Sequence, residues 1–266
     1  MAAIPLGDFP ETLFFGCGNM GQAMLAGWIA GGVPADRFAV ADPAAPVLPV
    51  GVRSAGGTEQ PAMLILAVKP QALAEVADAV RAHLADGAIL VSVLAGVRLA
   101  RLAKLFPMAK PVRLMPNLAA AIGRAPLGLA TAALDDGERE AVDRWMRPLG
   151  PTFWQADEDD LDVVTALAGS GPAYLYRFVD ALAQAAVALG LPEHQAGPMA
   201  LATVEGAARL AAMGGEAPGA LAERVASPGG STRKGMDVLD ADDALVALLT
   251  RTLTAARDRN RELAGI

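Results

Sequence analysis

Along the first half of the chain, short continuous apolar runs alternate with stretches in which apolar residues return every three or four positions. The runs fall at 13–15, 38–41, 63–68, 89–93, 112–115 and 127–132, with a last short one near 152–155. Unbroken apolar runs of this length predict strands covered on both faces. The helical spacing falls at 20–30, 71–84 and 98–105, and again at 136–149, which opens on acidic residues and closes at Pro148-Leu149-Gly150. Strand, helix and strand in alternation predict a doubly wound parallel sheet. From 157 onward the pattern is helical almost throughout, with breaks at 169–172, 190–192, 214–218 and 227–230. The expected architecture is therefore α/β: a Rossmann-type domain over 1–156, then an all-α domain over 157–266.

Composition narrows the function. The 266 residues are 53% hydrophobic and 19% charged, which fits an ordered globular chain. Residues 1–150 carry 13 charges of each sign, while 151–266 carry 16 acidic and 9 basic residues. No basic surplus exists for nucleic acid or an anionic membrane. Cys17 is the single cysteine and His83 and His194 the only histidines, so neither a disulfide framework nor a Cys/His zinc site is expected. The uncharged stretch 12–35 holds six glycines and Pro34, unlike a membrane span, and the opening Met-Ala-Ala-Ile-Pro lacks a basic leader; a cytoplasmic protein is the expectation. The acidic run 157–162 reads as a solvated first helical turn rather than a metal site.

The candidate chemistry begins at Gly16-Cys17-Gly18-Asn19-Met20-Gly21, a G-x-G-x-x-G between a strand and a helix. Gly16 allows the tight turn, Gly18 lets backbone approach a pyrophosphate, and Gly21 allows helix to pack on strand. Cys17 reads as a small filler of that turn. Asp42 ends the next strand, 21 residues after Gly21, where a carboxylate can accept from a ribose 2′-OH and repel a 2′-phosphate. The expected cofactor is thus NADH or NADPH, with NADH preferred. Ala67-Val68-Lys69-Pro70 and the loop holding Ser92, Ala95 and Gly96 end later strands on the same face. Ligands of open α/β sheets sit there, so both loops are expected to line the cofactor crevice, with Lys69 near phosphate or ribose. Asn117, in Met115-Pro116-Asn117, ends a further strand, where a nicotinamide contact and a structural role in the loop both stay open.

In the second half, Gly169-Ser170-Gly171-Pro172-Ala173-Tyr174 opens a long helix. Ser227-Pro228-Gly229-Gly230-Ser231-Thr232 opens another, nine residues after the start of Pro218-Gly219-Ala220-Leu221. Small residues at a helix start expose backbone N–H groups, a seat for a carboxylate. Together these segments resemble the pyrroline-5-carboxylate reductase family, from about Leu13 to near the C-terminus. The PGxL…SPGGxT pattern carries the resemblance furthest.

What the resemblance implies is reduction of a cyclic imine to L-proline by NAD(P)H, the last step of proline biosynthesis. It implies a helical domain that interlocks with a second copy into a homodimer, and decameric rings in some members. It also implies that Ser227, Gly229, Gly230 and Ser231 hold the substrate carboxylate, through N–H groups at Gly230 and Ser231, while the Thr232 hydroxyl reaches the ring nitrogen. The chain departs from the family at Leu118-Ala119, usually Thr-Pro, at Ala168, often Ser, and at Arg233-Lys234, usually apolar or small. These departures bear on the choice of imine more than on the reaction. Three other readings stand beside it: a reductase of another cyclic imine carboxylate, a 3-hydroxyacid dehydrogenase, and a non-catalytic dinucleotide-binding protein. The dehydrogenase lacks its lysine at the 169–174 helix start. Helical stretches apolar around much of their circumference, at 163–168, 182–191 and 245–253, independently predict burial against another subunit.

Overall fold

The computed structural model describes residues 9–264. Eight strands form one sheet in the order β3-β2-β1-β4-β5-β6-β7-β8. They are β1 Thr12–Phe15, β2 Phe38–Ala41, β3 Arg53–Ser54, β4 Met63–Leu66, β5 Ile89–Ser92, β6 Lys110–Met115, β7 Leu127–Ala130 and β8 Thr152–Trp154. The first six run parallel; β7 is antiparallel to β6, and β8 runs parallel to β7. Every residue of β1, β4, β5 and β7 is buried, which is why these strands read as unbroken apolar runs.

Helices α1 Asn19–Ala30, α2 Leu73–Ala82, α3 Leu99–Leu105 and α4 Asp136–Met146 connect the strands, and α5 Asp160–Val164 follows β8. The acidic start of α4 is a capping box, with Asp135 accepting from the Glu138 N–H at 2.9 Å and Glu138 reaching back to the Asp135 N–H. Helix α1 lies unusually close to the 3-10 turn at Leu118–Ile122. A Cβ at Gly27 would stand 2.0 Å from the Ala120 carbonyl oxygen, so only glycine fits. Next to it Trp28 is fully buried among Phe9, Phe14 and Phe38, and its indole N–H donates to the Trp145 carbonyl at 2.6 Å.

The described residues pack into two compact units, 9–170 with 256–264, and 171–255, whereas the change in sequence character falls at 156/157. The second unit is built from α6 Gly171–Ala188, α7 Glu193–Gly214, α8 Pro218–Val225, α9 Ser231–Asp240 and most of α10 Ala244–Ala264. Its helices bury little within one chain: α6, α8 and α9 have no buried residue. Leu182, Val187, Leu189, Val246, Leu248 and Leu249 are exposed. Apolar helices so poorly covered need another surface. Among the described residues, no helix is long and apolar enough to cross a membrane, and the stretch 12–35 is divided between β1 and α1.

Candidate active site

The loops singled out in the sequence emerge from the carboxyl ends of four neighbouring parallel strands, β2, β1, β4 and β5. Backbone bonds continue the ladder into them: Gly16 N–H donates to Ala41 O at 2.8 Å, Ala67 N–H to Phe15 O at 2.9 Å, and Val93 N–H to Leu66 O at 3.1 Å. Gly16 has φ +84°, and a Cβ there would stand 2.8 Å from the Ala67 carbonyl oxygen. This glycine therefore serves both the turn and the approach of the β4 loop. Gly21 faces the Gly16 carbonyl oxygen at 3.4 Å and Phe14 at 3.6 Å from its Cβ position, the close helix-on-strand packing expected of it.

Gly18 is the residue before α1, and nothing lies within 4 Å of where its Cβ would be. No side chain caps the helix, so the first N–H groups of α1 face outward unspent. An uncapped helix start behind open backbone is what a pyrophosphate requires, and the residues present fit a dinucleotide.

Besides Gly16, the loop has the Cys17 N–H already taken. Asp42 accepts from the Cys17 N–H at 2.6 Å through one oxygen and from the Ala44 N–H at 2.8 Å through the other. Asp42 also lines a cleft of about 490 Å³, with Ala41, Ala45, Leu48, Val52, Ser54 and Ala55 among others. Among the described residues, no lysine or arginine lines this cleft; Arg53 of β3 lines a different hollow with Glu11 and Glu59. The far wall, β3 and the segment before it, is absent from the sequence reading, because a two-residue edge strand flanked by Pro46, Pro49, Gly51 and Gly56 leaves no periodic signal.

Cys17 is buried, and burial first, then the Asp42 carboxylate, pushes its thiol up to about 11 from an ordinary 9.0. It is therefore expected to be alkylated roughly 100-fold more slowly at pH 8 than a free cysteine. Measured labelling at the free-thiol rate would show that the loop does not hold this side chain.

The other candidates divide. Lys69 is exposed at the end of β4, with Ala67, Val68 and Pro70 half-buried beside it, and Ala95 and Gly96 are half-buried after β5. Ser92 is fully buried, and the Leu94 N–H approaches its hydroxyl at 3.4 Å. Asn117 is buried as well: its amide donates to the Ala168 carbonyl at 2.8 Å and its oxygen accepts from the Ala119 N–H at 2.9 Å. Both side chains thus hold loops, which supports the structural role left open for Asn117. The Ala168 carbonyl belongs to a π-helical turn, Thr165–Gly169, which the sequence gives no sign of.

The acidic run is not a solvated face throughout. Glu158 accepts from the fully buried Arg113 of β6 and from the Leu99 N–H, both at 2.7 Å. Asp162 is buried and pairs with Arg98 and Arg261, each at 3.2 Å. Asp159 also pairs with Arg98. Arginines far away in sequence turn the run inward, which a local pattern cannot reveal.

In the helical unit, the turn 226–230 joins α8 to α9. Gly229 has φ +73°, and Gly230 precedes the helix with no side-chain cap. The Gly230 N–H closes the turn onto the Ser227 carbonyl at 3.0 Å, so it is not free for a ligand as expected. Among the described residues, the unspent donors begin one residue later, at Ser231 and Thr232. Both of these side chains are exposed, and the Thr232 hydroxyl has no partner among the described residues.

Comparison with known proteins agrees with this layout. Residues 158–263 match the family described as pyrroline-5-carboxylate reductase dimerisation, and residues 12–96 match NADP oxidoreductase, coenzyme F420-dependent. A pyrroline-5-carboxylate reductase of Pseudomonas aeruginosa is 33% identical, over 96% of this chain and 97% of its own. One from Methanosarcina acetivorans is also 33% identical, over 94% and 96%. The solved pyrroline-5-carboxylate reductase of Coxiella burnetii superposes with a TM-score of 0.87 at 30% identity, covering 96% of this chain and 98% of that one. With a nicotinamide-dinucleotide type Rossmann domain and a dimerisation domain that makes it a homo-oligomer, the chain belongs to the pyrroline-5-carboxylate reductase family.

Proposed function

We propose that this protein reduces the C=N bond of 1-pyrroline-5-carboxylate to give L-proline, with NADH preferred over NADPH, as a homodimer or an assembly of dimers. The observation that carries the reaction is the uncapped start of α9, with unspent N–H groups at Ser231 and Thr232 and a free threonine hydroxyl. These groups accept a carboxylate through backbone donors and reach a ring nitrogen beside it. Gly229 and Ser227 shape the turn that presents them.

A dinucleotide held at the Gly16–Gly21 loop and the start of α1 would supply a hydride from its dihydronicotinamide. Protonated at nitrogen, the substrate is an iminium whose carbon takes that hydride, while the C=N π pair passes to nitrogen and gives the secondary amine. Little acid–base help is needed, because the imine arrives basic enough to hold its own proton. The protein's task is to hold two reactants in line, which contributes about 7–11 kcal/mol in well-oriented systems. Thr232 orients the ring nitrogen. Oxidation of an alcohol would instead ask for a positioned base, and the start of α6, Gly171-Pro172-Ala173-Tyr174, offers no lysine.

NADH preference is supported by the cleft beside Asp42, which offers a carboxylate and no cation to a ribose 2′ position. Asp42→Ser is expected to shift the kcat/KM ratio at least about tenfold toward NADPH. An unchanged ratio would mean that Asp42 serves only the loop. The reaction itself is tested by supplying purified protein with NADH and the imine. One L-proline formed per NADH consumed supports the reading, and NADH loss without proline overturns it.

A further inference from the structure

The turn that carries the proposed carboxylate seat has few internal supports. Ser227, Pro228 and Gly229 are exposed, and only Ala226 is buried. Its backbone bonds are local: Ala226 N–H to Ala222 O at 3.1 Å, Gly230 N–H to Ser227 O at 3.0 Å, and Lys234 N–H to Gly230 O at 3.3 Å. Among the described residues, one side-chain ion pair spans it. Arg233, in the first turn of α9, is ion-paired with Glu223 in the last turn of α8. Its side chain is 27% exposed, against 64% for Glu223. The neighbouring ion pairs do not bridge the turn: Arg224 reaches back to Glu216, and Lys234 reaches forward to Asp237.

We propose that Glu223 and Arg233 form a strap that sets the turn before substrate arrives, which makes them positioning residues for the seat at Ser231 and Thr232. The inference rests on the proposed function and adds to it. The two residues lie on the helices that flank the turn, so their pairing fixes where α8 ends relative to where α9 begins. A seat made of backbone N–H groups binds only when the backbone is already in place, and ordering it on binding would weaken affinity. The pairing also commits the Arg233 charge to Glu223, so the guanidinium acts through the turn instead of as a substrate ligand. Arg233 is one of the residues by which this chain departs from the family pattern, and the ion pair gives that departure a use.

The test compares Arg233→Gln, Glu223→Gln and the swapped pair Glu223→Arg/Arg233→Glu in the full-length assembly. An ion pair this exposed has a modest effect, so each single variant is expected to raise KM for 1-pyrroline-5-carboxylate about threefold. The effect on KM for NADH is expected to be smaller than that on the imine. Hydrogen exchange at the Gly230 and Lys234 amides is expected to quicken by about the same factor, since opening the turn breaks both bonds. The swapped pair is expected to recover both readouts. Unchanged exchange in the single variants, or a swap no better than either, overturns the strap. A Glu223→Gln enzyme with lowered KM beside an Arg233→Gln enzyme with raised KM overturns it too, since that pattern makes Arg233 a direct ligand. Absence of turnover in the unmutated protein would overturn the assigned reaction, and the exchange rates would still decide whether the strap exists.

Discussion

Thr232→Ala is expected to lower turnover of the imine about 10²-fold while NADH affinity stays within about twofold. The hydroxyl is exposed at the second position of α9 and makes no bond within the described chain, so its removal leaves no partner unsatisfied. Alanine also favours the helix, and the variant is expected to fold as the parent does. A large fall in kcat beside an unchanged NADH titration is therefore the signature of a lost contact to substrate. Equal losses in turnover and cofactor binding would point to misfolding. Full activity would remove Thr232 from the mechanism.

Arg113→Leu is expected to destabilise the protein by about 3 kcal/mol or more. Arg113 is 1% exposed, and its partner Glu158 also accepts from the Leu99 N–H at the start of α3. Removing the cation leaves a partly buried carboxylate without its counter-charge, which costs more than the pair itself contributes. Replacing both residues by leucine is therefore expected to recover part of the loss. Denaturant titrations at one fixed protomer concentration measure this, since stability of an oligomer depends on concentration. A single variant as stable as the parent would show that water reaches Glu158 freely.

These two residues mark where the sequence speaks and where it does not. The strands whose residues are all buried announce themselves, because period and burial coincide in β1, β4, β5 and β7. The glycine loop is equally legible, since strand, G-x-G-x-x-G and helix follow one another locally. The SPGGST turn is visible too, but only the folded backbone shows the Gly230 N–H turned onto Ser227. What stays hidden is long-range or irregular. The burial of Asp162 depends on Arg98 and Arg261, 64 and 99 residues away in sequence. The Asp42 contact with the glycine loop spans 25 residues. The β3 wall of the cleft and the π turn at Thr165–Gly169 have no periodic signature at all.

The same distinction explains Asn117. Its place at a strand end is readable, but its amide is buried and satisfied by the Ala168 carbonyl and the Ala119 N–H. A strand-end polar residue can serve the ligand or the loop, and its hydrogen-bond partners, which the sequence does not show, support the loop here.

The proposed reaction takes an imine carboxylate as substrate and its hydride from NADH. Its most direct measurement is the initial rate of NADH and NADPH oxidation with 1-pyrroline-5-carboxylate, run beside the six-membered cyclic imine carboxylate. Rapid oxidation of NADH, slower oxidation of NADPH and a clear preference for the five-membered ring are expected. Folded protein that binds NADH yet oxidises neither cofactor with either imine would contradict it.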